Sequence, residues 1–175
     1  MTDEARTKMI FFLMGAWMVG SVMVAFVATQ NFRAVDRVLA APAGADLHRK
    51  LEGIPPDDAR MILRHLASEM NRYYFRVWEW AQLVLGGLVL TLLVRSGRSD
   101  ALARALIVAM LAIVLVFIVY LTPQIVTLGR SLDFVSRTPP PPQYARFWRF
   151  HIAYTLLELV KLLLGAGVLV RLLLR

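Results

Sequence analysis

Apolar residues run almost unbroken through four stretches of the chain, residues 9–29, 75–94, 101–121 and 147–174. Each is about twenty residues or longer, the length a helix needs to cross a hydrocarbon core of ~30 Å. The first stretch includes small residues four apart, Ala16 with Gly20 and Ser21 with Ala25, which allow helices to approach closely. Between the first and second stretches the pattern turns polar. Residues 41–44 read as a turn, and Pro55-Pro56-Asp57-Asp58 reads as a helix start, with proline and acids at the positive dipole end. From Asp57 the recurrence of Ile62, Leu66 and Met70 is helical, and nothing breaks it before Phe75. The pattern therefore predicts an extramembrane helix over 57–74 that continues into the second stretch.

The third stretch follows a short turn, Arg95 to Arg98, and closes at Leu121-Thr122-Pro123. Helix resumes beyond it at the spacing of Ile125, Leu128, Leu132 and Phe134, and Pro139 to Pro142 form a stiff link of polyproline II type. Long and short connections alternate. The expected fold class is all-α: an integral membrane, up-down-up-down four-helix bundle, one domain over residues 1–175, with helical extensions on one face. Tyr73, Tyr74, Trp78, Trp80, Tyr120, Tyr144 and Trp148 fall at the ends facing the long connections, as an interfacial aromatic belt would.

Composition sharpens this picture. A chain 58% hydrophobic is too apolar for a soluble domain of 175 residues. Cysteine is absent, which excludes disulfides, thiolate metal sites and cysteine nucleophiles. The net charge of +8 is carried mainly by arginine, with Lys8, Lys50 and Lys161 the only lysines. In such a protein this excess points to a bilayer with anionic headgroups rather than to nucleic acid, for which no motif exists. Residues 1–8 with the following apolar run imitate a secretory signal, but the run is long and Phe26-Val27-Ala28 is a poor cleavage site, so a retained first span is expected. Arg6, Lys8, Arg95, Arg98, Arg104, Arg171 and Arg175 on the short-turn side place both termini in the cytoplasm, for a membrane of the bacterial inner or cytoplasmic type.

The candidate chemistry lies inside the spans. On the last one, Glu158 falls about 20° from His151, and Tyr154 and Lys161 fall within about 80°. On the second, Arg76, Glu79, Gln82 and Gly86 recur on one face. Ionisable groups in a membrane normally turn inward, so the two stripes are expected to meet. Two carboxylates and an ammonium in a low dielectric couple strongly. Glu79, Gln82, Tyr154, Glu158 and Lys161 form the candidate ligand site, gated from the end bearing Arg76, Arg149 and His151. It would bind a cation, relay protons or pass a small solute. Alternatively, Glu158 and Lys161 neutralise each other while Glu79 pairs with Arg76 or Lys161, and the charges only lock the bundle.

Three other readings stand beside it. His48, His65 and His151 share the long-connection side, so a haem or metal is conceivable, although no ligand spacing accompanies them; the sequence leaves the cofactor unknown. Arg33, Asp36, Arg64, Glu69, Arg72, Arg130, Asp133, Arg146 and Arg149 form an outer charged set, which could hold a headgroup or a membrane-protein partner, or simply bridge solvated helix ends. With a membrane-protein partner there, the protein is a structural or accessory subunit of a larger complex. No catalytic motif is found, and a non-enzymatic protein is expected.

Gly15-Ala16-Trp17, Tyr73-Tyr74-Phe75-Arg76, Leu121-Thr122-Pro123 and Phe147-Trp148-Arg149-Phe150-His151 together resemble the four-helix membrane family that includes transmembrane protein 205-like proteins. The resemblance implies an integral four-helix bundle and supplies no reaction. The first polar connection is longer here than that family implies.

Overall fold

The computed structural model describes residues 2–40, 49–51, 53–96, 100–135 and 139–174. The expected turn at 41–44, and His48, Arg98 and Arg175, lie outside the described residues. Among those residues all regular structure is helical. We number the helices α1 (Asp3–Ala40), α2 (Pro56–Val94), α3 (Ala101–Val116), α4 (Thr122–Leu132) and α5 (Pro142–Leu173), with a π-helical segment, Phe117–Leu121, fusing α3 to α4. The rods are thus four: α1, α2, α3–α4 and α5.

The first helix outruns expectation. It does not stop at Thr29 but continues to Ala40, a total of 38 residues. Residues 30–40 mix Gln30, Asn31, Arg33, Asp36 and Arg37 with apolar residues but contain neither glycine nor proline, so nothing ends the helix there. At 1.5 Å per residue α1 is about 57 Å long, nearly twice a hydrocarbon core of ~30 Å. α2 answers it over 39 residues, beginning with Pro56 in its first turn and Asp57 and Asp58 at the dipole end. Gly53 precedes it at φ 91°, a left-handed turn that glycine accepts without strain.

Contact partners fix the register of α1 on α2. Asp36 meets Arg60 at 3.8 Å, Asn31 bonds Asn71 at 2.7 Å, Ser21 meets Trp78 at 3.3 Å and Trp17 meets Gln82 at 2.9 Å. As numbers fall along α1 they rise along α2. Two glycine notches hold the pair together. A methyl group on Gly20 would lie 2.1 Å from the Trp78 indole, and one on Gly86 would lie 2.7 Å from that of Trp17. Each helix therefore inserts a tryptophan into a gap in the other. Trp78 is consequently a packing knob rather than part of the aromatic belt, as its indole N–H and its fit into the notch both require.

Proline explains the π segment. Pro123 has no N–H to donate and its ring would collide with the carbonyl four residues back. The chain widens instead of breaking: Thr122 N–H donates to Phe117 O, five residues earlier. Helix was expected to close at Thr122-Pro123; it runs on through this bulge to Leu132. At its start, Asp100 caps α3 by accepting from Ala103 N–H at 3.0 Å.

Burial is distributed as a bilayer demands. Phe12, Val84, Val119 and Leu163 are 63–74% exposed, while Glu79, Gln82 and Lys161 are at most 2% exposed. A soluble protein would reverse this. Three helical rods, Asp3–Ala40, Pro56–Val94 and Ala101–Leu132, are long and apolar enough to cross a membrane. The core proper joins Ile10, Met14, Val89, Ile107, Met110, Val114 and Val168. Met14 is sealed inside it and Met18 approaches Gly165, so both are packing groups.

Candidate functional site

Beside this core, α2 and α5 face each other across the bundle, and the side chains crossing the gap are polar. Gln82 Oε1 accepts from Trp17 Nε1 at 2.9 Å and from Lys161 Nζ. Lys161 Nζ also donates to Glu158 Oε2 at 2.7 Å, an i,i+3 pair in which the lysine is 1% and the glutamate 18% exposed. One turn along α2, Glu79 Oε1 accepts from Thr122 Oγ1 and from Tyr154 Oη, the latter at 3.4 Å. Tyr154 is stacked on Phe117 at 4.0 Å between ring centroids and meets Phe75 edge-on at 5.8 Å. The Phe117 ring lies 5.5 Å from Lys161 Nζ, within cation–π range.

The five residues of the expected interior site, Glu79, Gln82, Tyr154, Glu158 and Lys161, are therefore in one cluster. Gln82 is twelve residues from the end of α2 at Val94, about 18 Å at 1.5 Å per residue. That is well within a core of ~30 Å. The expected gate is not assembled. Arg149 and His151 are both exposed. The imidazole stacks on Phe147 at 5.8 Å and meets Trp148 at 5.3 Å, both on its own helix. Angular position placed His151 near Glu158, but it lies two turns toward the helix start, where its ring contacts are with its own helix. Arg76 is also exposed, though near enough to Glu79 to act on it electrostatically.

Two polar atoms are left over. Gln82 Nε2 is buried and has no hydrogen-bond partner. Glu79 uses only Oε1; among the described residues its Oε2 accepts no hydrogen bond. A cleft of about 240 Å³ opens beside it, lined by Arg76, Glu79, Trp80, Ile118, Thr122, Pro123, Val126 and Thr127. The formal charges of Glu79, Glu158 and Lys161 sum to −1, with the Arg76 guanidinium close enough to offset it in part. The locking alternative needed Glu79 to ion-pair with Arg76 or Lys161; it is hydrogen-bonded to neither.

Sequence reasoning missed Thr122, Trp17 and Phe117 as members of this cluster. The signals were a Thr-Pro step inside an apolar helix, which calls for a bulge, and an indole N–H in a span, which calls for an acceptor.

At the cap end a second cluster ties α2 to α4. Arg72 donates to Asp133 Oδ2 and Oδ1 at 2.9 and 3.0 Å and to Glu69 Oε1 at 2.5 Å. Arg130 reaches both oxygens of Glu69 at 3.0 Å, and His65 Nδ1 sits 2.8 Å from Asp133 Oδ2. The Arg130 and Arg72 guanidiniums hold the Glu69 carboxyl down at about 2. His65, Glu69 and Asp133 are close enough to ligate one ion, all within 4.8 Å. Their carboxylates, however, are already committed to two arginines, whose charge opposes a metal. This is a salt-bridge knot. Among the described residues, His65 and His151 do not converge: His65 serves this knot, His151 its own aromatics. Of the outer charged set, Arg64 lies over the Phe32 ring and Arg146 over that of Phe150.

Comparison with known proteins gives one match. Residues 59–131 match the family described as Domain of unknown function (DUF4149). The matched stretch includes Arg76, Glu79, Gln82 and Thr122 and leaves out α1 and α5. No curated protein and no solved structure matches the chain. Nothing in these comparisons links it to transmembrane protein 205-like proteins.

Proposed function

We propose that the chain is a membrane protein of four crossings, α5 being the fourth, which binds a small cation or a proton at Glu79. The crossings alternate up and down, with both termini on the cytoplasmic side and the long connections outside. The observation that carries this reading is a carboxylate buried inside the bundle, whose second oxygen accepts no hydrogen bond among the described residues and which lines a cleft, beside a committed Lys161–Glu158 pair. A carboxylate in hydrocarbon is too costly to leave bare. Protonation or a bound cation removes that cost, and Thr122 and Tyr154 hold the acceptor in place for either. The arginine-rich ends rest against anionic headgroups.

The test is infrared titration of the full chain in lipid nanodiscs against pH, sodium, potassium and ammonium. The carboxyl band should respond to at least one of these, and the response should vanish in Glu79→Gln while the unfolding temperature stays near that of wild type. A variant altered in stability alone leaves Glu79 a packing group and overturns the reading. In that case a structural or accessory role in a larger membrane assembly takes its place.

A further inference from the structure

The cleft beside Glu79 has walls that a simple ion does not need. Apart from the carboxylate, only the Thr122 and Thr127 side chains offer oxygens, while Ile118, Pro123 and Val126 are hydrocarbon. Hard divalent cations take six or more oxygen ligands, which this cleft lacks. An organic ammonium needs about three acceptors, and the carbon attached to it suits apolar walls. The volume, about 240 Å³, lies below the ~300–1,000 Å³ of sites that swallow whole drug-sized ligands. It suits a head group.

The surroundings decide the direction of approach. Trp80 at the cleft is 58% exposed, and Val77 and Val119 nearby are 50% and 74% exposed, so the flanks are lipid-facing. Arg76, one helical turn from Glu79, stands at the rim. Its charge repels a lone cation but pairs with a phosphate. The Cβ atoms of residues at i and i+3 are about 5–6 Å apart, so Arg76 and Glu79 can reach one ligand together.

Resting on the cation-binding reading above, we propose that the cleft between α2 and α4 admits, sideways from the bilayer, the primary-ammonium head of a zwitterionic phospholipid. Glu79 is the counter-ion of the ammonium, Arg76 takes the phosphate, and the chains stay outside along Trp80. A trimethylated head has no N–H to give Glu79 and is bulkier, so the site discriminates against it.

The experiment uses the full chain in phosphatidylcholine nanodiscs doped with chain-brominated phosphatidylethanolamine or, in parallel, chain-brominated phosphatidylcholine. Quenching of Trp80 fluorescence is obtained by difference against Trp80→Phe. At equal mole fraction the ethanolamine lipid should occupy the site about tenfold more effectively, the scale of one charge-assisted hydrogen bond. The excess should disappear in Glu79→Gln and in Val126→Phe, which fills the cleft without touching the acid; if Glu79→Gln does not fold, Val126→Phe decides. Equal quenching by the two lipids overturns the proposal, as does an excess that survives Val126→Phe. Competition by water-soluble phosphoethanolamine alone would place the entrance on the aqueous side and overturn lateral entry. Should the infrared response to ammonium persist without any lipid preference, the cation site stands and only this proposal falls.

Discussion

At the scale of single residues, Gln82 holds the polar cluster together. Its one oxygen accepts from Trp17 on α1 and Lys161 on α5, so three helices meet at one atom. Its amide nitrogen, by contrast, has no partner. Replacing both the acceptor and the orphan donor separates their effects. Gln82→Leu strips the Trp17 N–H of its acceptor and should cost roughly 1–3 kcal/mol, the usual penalty for a buried donor left unmet. Gln82→Glu keeps an acceptor for both donors, removes the orphan N–H and sets its new charge against Lys161 Nζ, which already donates to this oxygen, so it should retain more stability than the leucine variant. Unfolding midpoints in one detergent, measured for the three proteins side by side, check the order. Leucine at or above glutamate would mean that packing, not the hydrogen bonds, sets stability at this position.

At the scale of elements, helical periodicity made the α2 and α5 stripes readable because 100° per residue fixes a face before any fold is known. Periodicity says nothing about depth along the axis, which is why His151 shares a face with Glu158 yet lies outside the cluster. It also cannot tell an interfacial tryptophan from one bound for a notch on another helix; Trp78 needed Gly20 to be seen opposite it. The length of α1 was obscured differently, since the charged and amide residues among 30–40 look like a loop until the partner face of α2 is known. Thr122 is the instructive case. The π turn shifts the phase of everything beyond it, so the residue that seemed to end a span instead supplies a hydrogen bond to Glu79. Pro123→Ala restores a backbone N–H and removes the reason for the wide turn. The variant should be at least as stable as wild type, yet with Thr122 turned away its cation response at Glu79 should require about tenfold more ligand, ~1.4 kcal/mol. Infrared titration beside a melting curve gives both numbers. A variant that binds as wild type does would show that tertiary contacts, not proline, hold the bulge.

At the scale of the whole molecule, the bundle is pinned at both ends and polar in part of its middle. Asp100 caps α3 and meets Arg171 of α5 at 3.4 Å on the short-turn side. On the cap side the knot of Glu69, Arg72, Arg130, Asp133 and His65 fastens α4 to α2, directly above the turn that carries Thr122. That knot has a pH dependence of definite sign. Glu69 is lowered from 4.5 to about 2, so the native state holds its carboxylate more firmly than the unfolded chain does. The stabilisation is complete above the unfolded value and drains away as pH falls from about 4.5 toward 2. Much of Glu69 remains solvated, so solvent screening reduces the effect and the loss should be local rather than global. Hydrogen exchange, corrected for intrinsic pH dependence, should show protection of α4 falling across this window while the apolar core around Met110 and Val168 holds. In Glu69→Gln the protection of α4 should be lower at neutral pH and flat in acid. Uniform loss across all helices, or an acid response unchanged in Glu69→Gln, would mean that the knot does not hold α4. The π turn would then keep its position by core packing alone.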